Sequence, residues 1–265
     1  MSNEIYSHGH HSSVTAVHAM RTVATSAAYL EPLLEAGMDV LDLGCGPGSI
    51  TVGFADLVAP GSVLGIDRSA DVIAQASATH AGTANAEFRE GNVYDLDAAD
   101  ESFDVVHAHQ LLQHLADPVA ALREMRRVVR PGGVVAVREA DFGAMVWSPA
   151  VGELEEWRSL YQELARGNGG EPDAGRHLPA WAAAAGFTDV EVSSSTWTYA
   201  APGDRTSFAG SWAERVLHSA FAEQTLERGL ADRQMLDRLA EGWLRWARTD
   251  DALFLMPSVE IVARG

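Results

Sequence analysis

Three glycines stand at alternate positions directly after a short apolar run, an arrangement that suits ligand binding by the backbone. Residues 40–48 have the sequence VLDLGCGPG, with glycine at Gly44, Gly46 and Gly48. Glycine lets the chain turn sharply and lets a ligand approach the backbone closely. A helix predicted over 49–58 would present free N–H groups and a positive dipole end to that ligand. The segment therefore predicts a strand–turn–helix ligand site, with an ordinary tight turn of an α/β protein as the alternative.

Two carboxylates near the glycines narrow the chemistry of the ligand. Asp42 lies in the apolar run, and Asp67 ends the next apolar run, 19 residues after Gly48. An acid at the second place accepts ribose hydroxyls, and we expect Asp42 to face an ammonium group. The glycines are spaced G-x-G-x-G, whereas dinucleotide binders have G-x-G-x-x-G. A pyrophosphate would gain nothing from Asp42, but a ligand with a ribose and an amino-acid tail would gain from both acids.

The order of these residues resembles the class I S-adenosylmethionine-dependent methyltransferases, in particular the ubiquinone/menaquinone-methyltransferase-like group. The resemblance is strong over 40–133 and weak elsewhere. It implies S-adenosyl-L-methionine as the methyl donor, with its methionine part on the glycine loop, its ribose at Asp67 and its adenine beside Arg68. The other matching segments are EGNV at 90–93, FDVVH at 103–107 followed by His109 and Gln110, and VRPGG at 129–133.

The same resemblance implies a full set of donor contacts. Asn92 stands where many relatives have aspartate, and its carboxamide both accepts and donates hydrogen bonds. An N-terminal arm and first helix would close over the site as a lid, with Arg21 near the donor carboxylate. The residues expected to contact the donor are Tyr6, His11, Arg21, Asp42, Gly44, Gly46, Gly48, Asp67, Arg68, Asn92, Val93, His109 and Gln110.

Polar side chains after the fourth and fifth predicted strands are the candidates for acceptor chemistry. In an open α/β sheet the ligand crevice lies beyond the carboxyl ends of the strands. Methyl transfer at a sulfonium needs an aligned acceptor, and a phenol, amine or acidic carbon also needs a base. The candidate bases are His109, His114, Glu139 and Asp141. For each of them, a capping or positioning hydrogen bond is the alternative role.

The histidine-rich start of the chain and the single cysteine each leave more than one interpretation. His11 and His18 lie at helical spacing in a polar segment. That segment is interpreted as a lid, with a solvated arm or a metal site as alternatives. Histidine clusters bind zinc, but no paired C-x-x-C or H-E-x-x-H accompanies this one, so no metal is expected. Cys45 is interpreted as a small filler of the glycine loop and not as a nucleophile.

Alternating apolar runs and helical segments must position these groups. Strands are predicted over 38–43, 62–66, 87–90, 103–107, 134–138, 187–192 and 258–263, and helices over 11–34, 49–58, 70–80, 117–129, 153–166 and 178–185. This alternation predicts the α/β class, with a doubly wound, mostly parallel, seven-stranded Rossmann-like sheet. An N-terminal helical lid and a helical insertion at about 204–249, before the last strand, complete the expected fold.

We expect a single methyltransferase domain over 1–265. It comprises an arm and lid helix (1–35), a cofactor-binding core (36–141) and an acceptor-side half (142–265). The Trp-rich insertion in the last part is interpreted either as an apolar cap over the acceptor or as packing of its own helices.

Composition argues against several classes of partner. The formal net charge is −18, from 19 Lys and Arg against 37 Asp and Glu, so nucleic acid and anionic membranes are disfavoured. The sequence shows no apolar run long enough for a membrane span and no secretion signal, and one cysteine makes no internal disulfide. We therefore expect a cytoplasmic monomer or homodimer whose partner is a small-molecule acceptor.

Three functions stay open at this point. The leading one is transfer of a methyl group from S-adenosylmethionine to an O, N or C atom of a small organic acceptor, giving S-adenosylhomocysteine. A nicotinamide-dependent oxidoreductase on a similar sheet is one alternative. An S-adenosylmethionine-binding enzyme that does not methylate, such as a lyase or cyclase, is the other, because a fold does not determine a function.

Overall fold

In the computed structural model, which describes residues 21–264, eight strands form one mixed sheet. The strands are β1 (Val40–Leu43), β2 (Val63–Asp67), β3 (Ala86–Glu90), β4 (Phe103–His109), β5 (Val129–Ala140), β6 (Val146–Ser148), β7 (Asp189–Tyr199) and β8 (Leu253–Arg264). The helices within the same range are α1 (Val23–Ser26), α2 (Ser49–Val58), α3 (Ala70–Thr79), α4 (Pro118–Val128), α5 (Gly152–Gly167), α6 (Leu178–Ala185), α7 (Pro202–His218), α8 (Ala220–Glu227) and α9 (Arg233–Ala247).

The strand order confirms the doubly wound, mostly parallel sheet. Neighbouring strands follow the order β3-β2-β1-β4-β5-β8-β6, and β7 pairs with the free side of β8. β1 to β5 are parallel, whereas β8 runs antiparallel to β5, β6 and β7. The sheet has one strand more than expected, because the three residues of β6 pair with the start of β8. The predicted helical insertion is also present, as α7, α8 and α9 between β7 and β8.

Local signals account for the starts of the helices that flank the sheet. The hydroxyl of Ser69 accepts a hydrogen bond from the Val72 backbone N–H and begins α3, as the sequence predicts. The Asp117 carboxylate accepts from the Ala120 N–H at the start of α4, where Pro118 occupies the first turn. β7 and β8 are longer than predicted, because β7 keeps pairing with β8 as far as Tyr199.

The described part of the predicted lid helix is not a continuous helix, so that prediction is wrong for residues 21–34. Thr22 and Thr25 form a capping box, in which each side chain bonds the other's backbone N–H, and α1 ends after four residues. A separate 3₁₀ turn follows at Glu31–Leu33, and its Pro32 has no N–H to continue a helical ladder. The rest of the predicted helix, residues 11–20, lies outside the described residues.

The tryptophans of the insertion pack their own helices. Trp212 on α7 and Trp243 and Trp246 on α9 are buried in one cluster with Trp157 of α5. The ring centroids of Trp157 and Trp243 lie 4.7 Å apart in an edge-to-face arrangement. These side chains therefore form a second core and not a cap over an acceptor, and Trp197 on β7 is the exception described below.

Among the described residues, no helix has both the length and the hydropathy that a membrane crossing requires.

We expect Trp243→Ala to lower the free energy of unfolding by about 3–5 kcal/mol, because a large buried ring leaves a cavity in this cluster. Trp243 is 0% exposed, whereas Leu244 on the same helix is 36% exposed. Leu244→Ala is the matched control and should cost under about 1 kcal/mol. Urea unfolding followed by circular dichroism measures both values. Equal losses in the two variants would contradict the packing described here.

Candidate active site

The carboxyl ends of the parallel strands bring the predicted site residues to one edge of the sheet. In the register of the sheet, Leu43 of β1 pairs with both Ile66 of β2 and Ala108 of β4. His109 of β4 pairs with Arg138 of β5. The glycine loop, Asp67 and His109 therefore leave neighbouring strands at the same level, where ligands of open α/β sheets bind.

The glycine loop has a backbone that only glycine adopts without strain. Gly44, Gly46 and Gly48 have φ values of +65°, +53° and +84°. A Cβ on Gly48 would stand 2.6 Å from Cε1 of Phe88, so close packing also demands glycine there. A Cβ on Gly46 would meet no atom within 4 Å. Gly46 therefore faces open space, which leaves its backbone accessible to a ligand.

Asp67 is tied to this loop. Its Oδ2 accepts a hydrogen bond from the Gly46 N–H at 3.2 Å, and its Oδ1 accepts from the Ser69 N–H at 3.0 Å. Each carboxylate oxygen has a second lone pair, so the group can still accept from a diol. Binding of a ribose by Asp67 stays a prediction, and the structure adds that the same side chain positions the loop.

Asp42 lies beneath the loop in a buried polar contact. Its Oδ2 accepts from the Thr51 hydroxyl at 2.6 Å, and its Oδ1 lies 2.8 Å from Nδ1 of His107. The His107 ring packs edge-on against Phe54 with centroids 4.9 Å apart. Asp42 is 3% exposed, so its demonstrated partners belong to the protein. The predicted contact with an ammonium group stays a prediction.

Cys45 occupies the interior of the loop. Burial, with added repulsion from Asp42 and Asp67, raises the pKa of the Cys45 thiol far above its ordinary value. A thiol held neutral in this way is a poor nucleophile. The small-filler interpretation agrees with this environment.

The residues expected beside the adenine lie at the outer end of the same edge. Arg68 and Asn92 are exposed, and Val93 is half-buried against the sheet. The Asn92 Oδ1 accepts from the Tyr94 backbone N–H at 3.1 Å, so its carbonyl is engaged within its own turn. The adenine contacts of these residues stay predictions. Tyr6 and His11 lie outside the described residues.

Arg21 and Gln110 meet at the end of β4. Arg21 Nη2 donates to Gln110 Oε1 at 2.7 Å, and the Gln110 backbone N–H donates to the Arg138 carbonyl at 2.8 Å. Gln110 has a φ of +51°, which is uncommon for a residue other than glycine and is found at functional sites. The structure thus brings together three residues expected near the donor, Arg21, His109 and Gln110.

Glu139 is held by the backbone of the turn after β4, and its role as a base stays a prediction. Its Oε1 accepts from the backbone N–H groups of Leu111 and Leu112 at 2.9 and 2.7 Å, and its Oε2 accepts from Gln113 at 3.4 Å. Burial raises the pKa of Glu139 to about 8, although these three donors act in the opposite direction. The side chain is 0% exposed and anchors the turn after β4.

Asp141 also has structural partners, and its role as a base stays a prediction. Arg176 donates to both of its carboxylate oxygens, through Nε at 2.7 Å and Nη2 at 2.6 Å. Its Oδ1 also accepts from the Ala144 N–H at 3.0 Å and caps a 3₁₀ turn. These three hydrogen bonds engage both oxygens of the Asp141 carboxylate. Its alternative role as a cap is the one the structure shows.

His114 lies in the turn that Glu139 anchors. Its Nε2 is 3.2 Å from Nε2 of Gln113. Burial, with repulsion from Arg21 second, lowers the pKa of His114 to about 3. An imidazole with so low a pKa binds a proton poorly, which makes it a weak general base near neutral pH.

Sequence reasoning missed a row of polar side chains that crosses the sheet. His109 pairs with Arg138, Arg138 pairs with Glu260, and Glu260 pairs with Ser193, on β4, β5, β8 and β7 in turn. Directly paired residues have side chains on the same face, so these four form the cross-strand row. A charged residue inside the apolar strand 258–263 was the available signal for Glu260.

Trp197 lies four residues after Ser193 on the same face of β7 and borders the cross-strand row. Its ring centroid is 5.7 Å from that of His109 and 4.7 Å from Cζ of Arg138. Its Nε1 donates to the Thr25 carbonyl at 2.7 Å. The predicted strand ended at 192, and the continued alternation of polar and aromatic residues to Tyr199 was the signal that it extends farther.

Within residues 21–264, no group of three or more His, Cys, Asp or Glu side chains is arranged to hold a metal ion.

Comparisons with known proteins agree with this geometry. A family model described as a methyltransferase domain matches residues 34–193. An uncharacterized methyltransferase of Schizosaccharomyces pombe is 36% identical over 269 residues, covering 97% of this chain and 95% of that protein. A demethylmenaquinone methyltransferase of Geobacillus stearothermophilus is 31% identical over 188 residues, or 63% of this chain and 78% of that protein.

The fold is also that of a solved methyltransferase. The structure of phosphoethanolamine N-methyltransferase 2 from Haemonchus contortus, in complex with S-adenosyl-L-methionine, superposes with a TM-score of 0.56 at 21% identity, covering 90% of this chain and 51% of that one. Family model, full-length relative and fold agree with the glycine loop and its acids. The chain therefore belongs to the methyltransferase family, as a class I S-adenosylmethionine-dependent enzyme.

Proposed function

We propose that this enzyme holds S-adenosylmethionine over the carboxyl ends of β1, β2 and β4 and transfers its methyl group to an O, N or C atom of a small organic acceptor. The observation that carries this proposal is the open face of Gly46, whose N–H is tied to Asp67. The acceptor would lie beside the donor, over the ends of β4 and β5, where His109 and Arg138 pair.

The residues present fit such a donor. Gly46 leaves room for a ligand against the backbone, and Nε2 of Gln110 is a buried donor for which the described residues supply no acceptor. Asp67 is half-buried at the end of β2, within reach of a ribose bound along the loop. When bound, the donor supplies a sulfonium methyl group. Arg21 and Gln110 would orient its carboxylate end, and Arg68, Asn92 and Val93 would border its adenine.

His109 is the base that the geometry favours for acceptors that lose a proton. Glu139 and Asp141 are engaged by backbone and Arg176 donors, and the pKa of His114 is about 3. His109 is 7% exposed and lies at the end of β4 beside Trp197. In this position it would take the proton of a phenol, amine or acidic carbon while the neighbouring aromatic ring excludes water.

We further propose that residues 1–265 act as one domain, with residues 1–35 as the lid and 142–265 as the acceptor-side half. The net charge of −18 supports a small-molecule acceptor over nucleic acid. A cytoplasmic monomer or homodimer remains the proposed form of the enzyme.

Calorimetric titration with S-adenosylmethionine and with NADPH, followed by turnover assays with an acceptor library, tests the function. We expect binding of the sulfonium donor and release of S-adenosylhomocysteine with at least one acceptor. Binding of NADPH without S-adenosylmethionine would support the oxidoreductase alternative. Binding of S-adenosylmethionine without turnover across the library would support the lyase or cyclase alternative.

We expect Gly46→Ala to weaken binding of S-adenosylhomocysteine by about 10-fold or more, because the new methyl group occupies the space left for the ligand. Gly132→Ala is a matched control, since Gly132 also has a positive φ and would place its Cβ in open space. Both variants should lose about 1 kcal/mol of stability from backbone strain. Calorimetry and thermal unfolding separate the two effects, and unchanged affinity in Gly46→Ala would refute the proposed donor site.

We expect His109→Asn to lower kcat by about 100-fold or more for an acceptor that must lose a proton, because the variant lacks a base. His114→Asn is the control and should keep kcat within about 3-fold, because a group with a pKa near 3 is a poor base already. Steady-state formation of S-adenosylhomocysteine measures both. The opposite ranking of the two variants would assign the base to His114.

Acid should destabilise the protein partly through His114. Its pKa is about 3 in the folded chain and 6.5 ordinarily, so the unfolded chain takes up a proton at a higher pH. The stability that neutral His114 contributes is present above pH 6.5 and is lost as the pH falls toward about 3. We expect His114→Gln to flatten this decline in urea unfolding between pH 7 and pH 4. His218→Gln, at an exposed histidine, should leave it unchanged.

A further inference from the structure

Arg138 is a buried guanidinium whose outer edge lacks partners among the described residues. Its side chain is 1% exposed. Its Nε donates to Glu260 Oε1 at 3.2 Å and to Ser195 Oγ at 3.1 Å. Both Nη1 and Nη2 are buried without a hydrogen-bond acceptor in residues 21–264. Native proteins rarely leave such donors unsatisfied, so this edge requires an explanation.

Glu260 fixes the orientation of the guanidinium without covering that edge. Its Oε2 accepts from the Ser193 hydroxyl at 2.8 Å, and its Oε1 accepts from the Ser195 hydroxyl and from Nε of Arg138. The carboxylate is therefore held by β7 and bonds only the inner nitrogen of the arginine. The two Nη groups remain side by side, in the fork geometry that matches a carboxylate.

An aromatic ring stands next to this fork and is shared with a second arginine. Cζ of Arg138 lies 4.7 Å from the Trp197 ring centroid, and Cζ of Arg21 lies 5.3 Å from the same centroid. Of the neighbouring carboxylates, Glu260 bonds Arg138, Asp42 bonds Thr51 and His107, and Glu139 bonds backbone N–H groups. Each of these carboxylates therefore has partners of its own within the protein, and none of them bonds the two Nη groups of Arg138.

The other unsatisfied polar atoms around the fork also favour an acceptor-rich ligand. Within residues 21–264, the buried hydroxyls of Tyr29 and Ser258 have no hydrogen-bond partner. Burial, reinforced by Glu260, raises the pKa of Tyr29 well above its usual value and keeps its proton on the oxygen. Ser258 lies on β8 beside the cross-strand row, two residues before Glu260. Both hydroxyls can donate, and a ligand oxygen can satisfy them.

We propose that the methyl acceptor is a carboxylic acid whose carboxylate binds the two Nη groups of Arg138 and whose carbon skeleton packs against Trp197. Because the ion pair with Glu260 already balances the charge of Arg138, a singly charged carboxylate suits the two-nitrogen fork better than a doubly charged phosphate. The inference rests on the proposed function and deepens it, because it names the class of molecule that the same site methylates. His109, the neighbour of Arg138 in the row, would then face the reacting part of the acceptor.

The test is a binding comparison with matched pairs of probes. 4-Hydroxybenzoate, 3-phenylpropanoate and octanoate are each titrated against their carboxamides, with the protein both free and saturated with S-adenosylhomocysteine. We expect at least one carboxylate to bind at least about 10-fold more tightly than its carboxamide, as a charge-assisted fork requires. Equal binding within every pair, or no carboxylate binding up to about 1 mM, would overturn the proposal. Preferential binding of phenylphosphonate over every carboxylate would overturn the assigned class.

The variant Arg138→Met combined with Glu260→Gln removes the fork without leaving a buried charge unpaired. We expect it to abolish the preference for carboxylates while its affinity for S-adenosylhomocysteine stays within about 3-fold. Arg264→Met, which removes an arginine elsewhere on β8, should keep the preference. A preference that survives in the double variant overturns the proposal, and so does a parallel loss of S-adenosylhomocysteine affinity, which would assign Arg138 to the donor.

Two further measurements keep the outcomes separate. Circular dichroism and thermal unfolding establish whether the double variant is folded. If the double variant does not fold, Glu260→Gln alone, which retains the fork, is measured in its place and should preserve the preference for carboxylates. If the wild-type protein bound carboxylates but neither S-adenosylmethionine nor S-adenosylhomocysteine, the proposed function would fail and the anion site would stand without it. If it bound the donor but showed no preference, only this inference would fail.

Discussion

The register between β4 and its two neighbours is the constraint on which the site depends. It pairs Asp42 with His107 and His109 with Arg138. Because paired residues share a face and alternate residues return to it, all four side chains lie on one side of the sheet. A shift of one residue would turn them into the opposite, apolar layer. The interior packing that maintains the register therefore also positions these four side chains.

Alternation along β5 explains why two neighbouring charged residues have unrelated roles. Arg138 points to the face of the cross-strand row, whereas Glu139 points to the other face and accepts from the backbone of the turn after β4. That turn carries His114 and follows Gln110, whose φ of +51° begins it. Glu139 thus acts on the site through the backbone, by setting the path of the chain that leaves β4.

The glycine loop could be predicted because the residues that form it are contiguous in the sequence. The run over 40–48 contains the strand, the turn and the start of the helix, and Ser49–Val58 forms as a helix where the sequence predicts it. The acceptor half was less predictable. Glu139 and Asp141 are acids after a strand, as bases would be, and only their contacts with distant backbone and with Arg176 reveal structural roles. The end of α1 after Ser26 was not predicted. Thr22 and Thr25, which form the capping box, were the available indication, but the helical periodicity of the segment favoured one continuous helix.

The contacts around Arg138 and Trp197 join residues that are far apart in the sequence. The bond between Arg138 and Glu260 spans 122 residues, and that between Trp197 and Thr25 spans 172. Such contacts exist only once β7 and β8 have joined the sheet and the chain around α1 lies over it. The glycine loop shares none of these side chains. In the proposed site, changes in Arg138 or Glu260 can therefore affect the acceptor side while the hydrogen bond from Gly46 to Asp67 stays intact.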